Sequence, residues 1–525
     1  MKKEIHDWVW ENKILTAILL LFGSEVILYF LILPSIATSA YEGGIFSFLR
    51  RFSGYRPEEP FELYLNKAKL FFWADGLTII FLALGLSFIW RRFKRRSSIR
   101  HQLQTVWLNI KKFFTINRKT LLINITIFLA FYGLYWVLGH GLLRNILIYN
   151  KFTFFFADQG DWTDLNWAKF HKGSHPLILI FLLPFSMLKP LSSFMPKPVL
   201  AVFINAFFGS LGVSLSYSTF WHLTRARKES LLLTIIFGFS MSQLFFSSLL
   251  ESYAFAGVSI LTTFLVYTIS LRERSIQLES WIASGLLTFG VTITNFGHTL
   301  VCFGSTLLSR NKNNKIATFF EFIGIVFLAA FLISIIQKRI MGGSYFFVPE
   351  MLTRELKFIK TTVLNSPLLV SFELFKHFCL VNIVSASPFP TEIIPGEKVI
   401  LSFFDRPLRY SWIGLGATSV WLIFLIVGLF KGIRSAITHK VDASGFEQRT
   451  FLITILGVNT FNLLLYSIFN AEEMFLFACN YTFPILLLVA NKSMISWKYF
   501  TSLACLLIGL MALNNLSIMR QIIVF

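Results

Sequence analysis

The chain has 525 residues, of which 55% are hydrophobic, 17% aromatic and only 14% charged. So much apolar surface exceeds what a soluble fold of this size can bury, which excludes a water-soluble globular protein and points to one embedded in lipid. The formal net charge of +21 does not signal a nucleic-acid partner, because Lys and Arg fall mostly in short loops between apolar runs, the distribution that orients membrane proteins.

Apolar runs of roughly 17 to 25 residues, the length a helix needs to cross about 30 Å of hydrocarbon, recur throughout. They predict a single polytopic all-α domain over 1–525, with about 11–13 transmembrane helices. The first run follows "MKKEIHDWVWENK" and lacks a small-residue cleavage site, so it is expected to remain as a helix. The densest basic segment, "RRFKRRSSIR" with Lys111, Lys112, Arg118 and Lys119 after it, belongs in the cytoplasm. A helix at about 70–90 then runs inward and one at about 119–138 runs outward. The segment 139–175 becomes an outer loop carrying "ADQGDWTDL".

The same rule puts "TRARKES", "RERSIQ", "RNKNNK", "KGIRSAITHK" and "NKSMISWK" inside. Helices are expected at about 230–249, 253–271, 316–337, 411–430, 450–469, 474–491 and 498–518, with 281–309 as a short hairpin that has "TNFGH" near its tip. The long segment 338–410, rich in Pro and Gly, is then an outer loop of irregular backbone. Between the outer aspartates and "TRARKES" the number of crossings must be odd, yet two apolar runs stand there, 176–191 and 199–222. Pro184 and Pro190 favour a first run that does not cross; the alternative breaks the second near Gly209 to Gly212. Cys302, Cys379, Cys479 and Cys505 have no metal-type spacing, so no zinc site or disulfide framework is expected.

Asp158, Asp161 and Asp164 stand at i, i+3 and i+6, a drifting stripe on one helix face, with Trp162 and Trp167 available to seat it at the membrane surface. His171, Lys172 and His175 follow, just ahead of Pro176 and the return into lipid, so cationic and imidazole donors reach headgroup depth where a phosphate would lie. Glu251, in "SSLLESYAF", is flanked by apolar residues at a helix end; ionisable groups at such depth are costly and face a cavity or a partner. Asn295 and His298 at the hairpin tip, with Glu472 and Glu473 at another outer turn, are candidates to complete one polar basin.

The order of "ADQGDWTD", "HKGSHPLILIFLLP", "TRARKES" and "SSLLESYAF" resembles the GT-C superfamily of integral membrane glycosyltransferases. It is most similar to the family 39 type, which includes protein O-mannosyltransferases and aminoarabinose transferases of lipid A. The likeness covers roughly 154–310, including the hairpin "WIASGLLTFGVTITNFGHTLVCF". Asp158 is followed by Gln159 where that family pairs Asp with Glu, and two helices precede the loop here where it usually has one.

The resemblance implies a GT-C-like fold with interfacial helices in the outer loop, and transfer of a sugar from a polyprenyl phosphate to an acceptor lipid, glycan or protein. Such chemistry needs a carboxylate base for the acceptor hydroxyl and cationic donors for the departing phosphate. Asp158 or Asp161 is the expected base, the other orienting the acceptor or helping to hold a divalent cation; no other cofactor is implied. Glu251 would position a sugar hydroxyl, and Asp164 is a further substrate-binding candidate. His171, Lys172, His175, Lys338, Arg339, Arg406 and Arg409 are the phosphate candidates, and Asn295 is a further substrate-binding candidate. The expected location is a bacterial cytoplasmic membrane with the site on its outer side. A transporter or flippase of an envelope lipid or glycan, a glycan polymerase or ligase of another fold, and a non-catalytic envelope assembly protein are the rival readings.

Overall fold

The computed structural model describes residues 118–144, 152–155, 157, 174–310, 314–341, 367–394, 398–403, 407–438, 447–469 and 471–524. Contacts divide the chain at Ile116, and all described residues belong to the second unit, Asn117–Phe525. The expected helix at about 70–90 and the first apolar run lie outside the described residues, as do Asp158, Asp161, Asp164, His171, Lys172 and Arg406.

Among the described residues, seven helices are long and apolar enough to cross a membrane. They are α1 (Arg118–Leu143), α3 (Lys197–Thr224), α6 (Tyr253–Glu273), α9 (Lys315–Met341), α11 (Trp412–Thr438), α12 (Gln448–Ile468) and α15 (Phe500–Val524). The pair α4 (Arg227–Phe239) and α5 (Met241–Ser248), bent by 58° at Ser240, makes up to an eighth. The protein is therefore an integral membrane protein of mainly helical fold. Its centre is built on α3 and α6, whose apolar stretches are 67% and 72% buried, while α1 keeps 17% buried and turns Leu122, Leu129 and Val137 outward as a lipid-facing rim helix does.

The crossing between the aspartates and "TRARKES" resolves on one helix. α2 (Ile178–Ser186) has nine residues, about 13 Å of rise, too short to span. Pro184 falls within it, and a 3-10 turn at Lys189–Ser193 carries Pro190. α3 then runs 28 residues without a break at Gly209 or Gly212. It stops where Arg225 takes a left-handed φ of 57° and its N–H donates to Trp221 O, a helix C-cap. The hairpin is α7 (Leu278–Val291) and α8 (Phe296–Leu308), joined by a 3-10 turn at Ile293–Asn295. Hydroxyls tie it inside: Thr263 Oγ1 lies 2.8 Å from Ser284 Oγ and 2.9 Å from Thr299 Oγ1.

Basic residues expected only as loop charges also close helix ends. Arg272 donates to His222 O and Leu223 O at the end of α3. Arg310 donates to Ser270 O and Leu271 O at the end of α6 and pairs with Glu447 at 2.5 Å.

The helical class expected from the apolar runs holds, with one addition. A small three-stranded sheet forms from β1 (Phe152–Phe154), β2 (Phe389–Ile394) and β3 (Lys398–Ser402) in the order β1-β3-β2. β2 and β3 are antiparallel; β1 joins β3 in parallel, Phe154 opposite Leu401. Strands of three to six residues among turn formers leave almost no alternation to read. The segment expected as irregular outer loop, 338–410, thus contains this hairpin, α10 (Pro367–Phe375) and a π-helical turn at Lys376–Val381. The remaining helices, α13 (Ala478–Val489) and the single turn α14 (Lys492–Ile495), link α12 to α15.

Candidate functional site

The entrance to the acidic loop is firmly held. After β1, Phe155 adopts φ 50° and its N–H donates to Leu401 O, and Ala157 N–H donates back to Phe154 O. A left-handed conformation at a bulky residue costs about 1–2 kcal/mol and persists only where the surroundings fix it. Here the Phe155 ring meets Phe245, Phe403 and Phe475 with centroids 5.0, 5.0 and 4.6 Å away. Ala157 is buried, and the next residue in the chain is Asp158.

The same aromatic wall backs a group that the sequence reading passed over. α10 turns Leu368, Phe372 and Phe375 outward and brings Glu373 inward, followed by Lys376 and His377 on the π turn. Lys376 Nζ sits 2.5 Å from Glu373 Oε1, at 0% and 1% side-chain exposure, and also donates to Phe403 O at 2.7 Å. His377 Nδ1 lies 2.9 Å from Glu373 O, so that nitrogen carries the proton and donates, and its ring faces Phe403. Burial, with the Lys376 ammonium beside it, pushes the imidazole down to about 3. The Glu373 carboxylate 3.4 Å away does not reverse this, because Lys376 already compensates its charge. Three ionisable residues at i, i+3 and i+4 inside an apolar run were the signal available in "SFELFKHF".

The π turn is docked onto α5. Met241 N–H and Ser242 N–H, two donors that a helix start leaves without intrahelical partners, donate to Ile383 O and Asn382 O. The far end of α5 is gripped by Asn205 of α3, whose Nδ2 donates to Phe246 O and Leu249 O. There the chain turns into Glu251, which is buried and accepts from Ser252 N at 2.8 Å and Ser252 Oγ at 3.1 Å. Phe246 packs on Phe475 and Tyr253 around this turn. Glu251 therefore borders the wall that carries the loop entrance and the Glu373 group.

A second focus gathers three other predicted residues. His175 Nδ1 donates to Val291 O at 2.6 Å, with Thr292 Oγ1 at 3.3 Å. Ile293 N–H donates to Ser174 O and Leu177 N–H to Gly290 O. A Cβ on Gly290 would meet Leu177 Cβ at 2.7 Å, so only glycine admits this approach. The expectation that His175 is a phosphate donor is thus corrected for Nδ1, which holds the hairpin tip. Gln337, unremarked in the sequence, donates to Pro176 O and accepts from Ile180 N–H, so the end of α9 that bears Lys338 and Arg339 meets the His-Pro step.

Asn295 does not join an open outer basin, since it is fully buried. Its carbonyl lies 3.2 Å from His298 Nδ1, and with His298, Asn462 and Asn480 it forms a buried polar cluster between helices. The His298 ring faces the Asn462 carboxamide and the Asn480 backbone, and Asn480 Nδ2 donates to Tyr466 Oη. Both amide atoms of Asn295 and Asn462, with His298 Nε2 and Asn480 Oδ1, have no protein partner among the described residues. Unpaired buried polar atoms in such number mark a place for ordered water or a polar guest.

Arg409 lies over the Phe389 ring at 4.8 Å, which fixes it to β2. Among the described residues no three of His, Cys, Asp and Glu come together as metal ligands. No known family model matches the chain, and no curated protein sequence matches it.

Proposed function

We propose that this protein is a membrane glycosyltransferase that moves a sugar from a polyprenyl-phosphate donor to an extracytoplasmic lipid, glycan or protein acceptor. The observation that carries this reading is the shared aromatic wall: the entrance to the Asp158 loop, the Glu251 turn and the buried Glu373–Lys376–His377 group all pack on Phe155, Phe245, Phe403 and Phe475 or their neighbours. A rigid apolar wall next to carboxylates is what a reaction at the edge of the bilayer needs, because charge acts more strongly where water is excluded.

In the proposed reaction, Asp158 or Asp161 takes the proton of the acceptor hydroxyl as its oxygen bonds to the anomeric carbon. The bond from that carbon to the phosphate oxygen breaks, and polyprenyl phosphate leaves. Its growing charge is met by Lys338, Arg339, His171, Lys172 and Arg406. Glu251 holds a sugar hydroxyl, Asp164 lines the acceptor side, and the second aspartate orients the acceptor or holds a divalent cation. The proposed setting is a bacterial cytoplasmic membrane with the site facing outward.

The test is transfer of radiolabelled sugar from a panel of polyprenyl-phosphate sugars to membrane acceptors, with wild type, Asp158→Asn and Asp161→Asn at matched expression. Wild-type transfer that falls by roughly 10²–10⁴ in one aspartate variant supports the reading. Absence of transfer from every donor, with folded protein and competent acceptors, removes it. The buried polar cluster of Asn295, His298, Asn462 and Asn480 favours a second reading, transport of an envelope lipid or glycan, since polar groups within a helix bundle also mark substrate paths. Movement of a labelled lipid-linked sugar across proteoliposomes without any transfer would favour it.

A further inference from the structure

α11 leans on the end of α13 through two glycines. A Cβ on Gly428 would stand 2.7 Å from Val489 Cγ1 and 2.9 Å from its Cα, and one on Gly432 would stand 3.2 Å from Asn491 Nδ2. Asn491 seals the approach: Nδ2 donates to Gly428 O at 2.9 Å, and Oδ1 accepts from Met494 N–H. Small residues four apart let helix backbones meet in a membrane. Beside this seam a cleft of about 470 Å³ opens, lined by Ile426, Val427, Phe430, Lys431, Arg434 and Ser493.

The lining is graded along α11, from apolar at Ile426 to basic at Arg434. Lys431 and Arg434 stand at i and i+3, on one side of α11. Lys431 Nζ lies 5.7 Å over the Trp497 ring, and Trp497 meets Tyr499 edge-on. Trp and Tyr mark the headgroup region. Ile426 and Phe430, 64% and 65% exposed, continue the cleft towards the middle of α11. No carboxylate pairs with Lys431 or Arg434 among the described residues.

From this gradient we infer that the cleft is a binding site for one anionic diacyl phospholipid of the surrounding bilayer. Its phosphodiester takes the Arg434 fork, the Lys431 ammonium and the Ser493 hydroxyl, and an acyl chain lies along Ile426 and Phe430. Basic pockets between membrane helices suit such headgroups, whereas a zwitterionic lipid would bring its own ammonium towards two uncompensated cations. The site is separate from the proposed transfer chemistry and stands without it.

The full-length protein is purified and its retained lipids are counted by native mass spectrometry against graded phosphatidylglycerol or phosphatidylcholine. Wild type is expected to retain one phosphatidylglycerol in preference to phosphatidylcholine. Lys431→Gln/Arg434→Gln is expected to weaken that retention roughly thirtyfold, from about fivefold per charge. Ser493→Trp keeps both charges but fills the cleft, and is expected to lose the lipid as well; Lys431→Arg keeps charge and ring stacking and is expected to bind as wild type does. Unchanged retention in Ser493→Trp would reduce the two cations to general headgroup anchors and overturn the site. Equal retention of phosphatidylcholine, or preference for an added polyprenyl phosphate over phosphatidylglycerol, would overturn the assigned occupant. Thermal unfolding without added lipid verifies that each variant is folded.

Discussion

Replacing Lys376 with Met removes the cation beneath the aromatic wall. Lys376 and Glu373 are 0% and 1% exposed and 2.5 Å apart. Loss of one partner of such a pair costs about 3–5 kcal/mol, because the desolvated carboxylate loses the charge that compensated it. The Phe403 carbonyl also loses its 2.7 Å donor, a cost of about 1–3 kcal/mol that overlaps with the first. Since Phe403 follows β3, the opening should spread to the sheet. At about 1.4 kcal/mol per factor of ten, amides of 389–394 and 398–402 are expected to exchange roughly 10²–10³·⁵ times faster in lipid nanodiscs, read by hydrogen–deuterium exchange mass spectrometry. Glu373→Met/Lys376→Met removes both charges at similar volume and is expected to recover most of the protection, leaving the carbonyl cost of about 1–3 kcal/mol. Exchange at the wild-type rate in Lys376→Met, or a double variant as open as the single, would refute the argument that this pair holds the wall.

The His377 imidazole, held down to about 3 by burial and Lys376, ties stability to pH. Its folded value lies below the unfolded one of about 6.5, so its contribution is complete above pH 6.5 and is lost as pH falls towards 3, by about 2 kcal/mol at pH 5. Melting of wild type against His377→Gln from pH 7.5 to 5 should show a drop in the wild type that the variant lacks; parallel curves would contradict it. Gly428→Leu should force α11 off Val489 at about 1–3 kcal/mol and lower the melting temperature, while Gly133→Leu, with open space at its Cβ, should be near neutral. Gln337→Ala removes the bonds to Pro176 O and Ile180 N. It should destabilise by about 1–3 kcal/mol and reduce sugar transfer while Gln337→Glu, which keeps the acceptor, retains more of both; a variant with full stability and transfer would show that the clamp is idle.

Features that depend on local rules were legible in the sequence. Proline placed the break before α3, paired basic flanks forced the 278–308 hairpin, and the apolar setting of Glu251 marked it as buried. What stayed hidden depends on distant partners. Lys376 is satisfied by a backbone carbonyl of Phe403 and by Glu373 one turn away, yet both lie in the segment 338–410, whose Pro and Gly content reads as irregular outer loop. Gln337 is one polar residue near the end of a long hydrophobic helix, and its partners are main-chain atoms about 160 positions earlier. His175 was expected to offer its imidazole to a phosphate, but its Nδ1 serves the hairpin because Val291 O comes within 2.6 Å.

The parallel pairing of β1 with β3 joins Phe152 to Val399, and this imposes an order on biosynthesis. α1 to α9 leave the ribosome before β3 does, so β1 waits beside inserted helices with no sheet edge to join. At about 5–20 residues per second, the 247-residue interval between those two positions lasts roughly 12–50 s. The start of the acidic loop therefore acquires its sheet hydrogen bonds only after α1 to α9 have been made, and a nascent chain cut short before β3 would carry those helices without that anchorage.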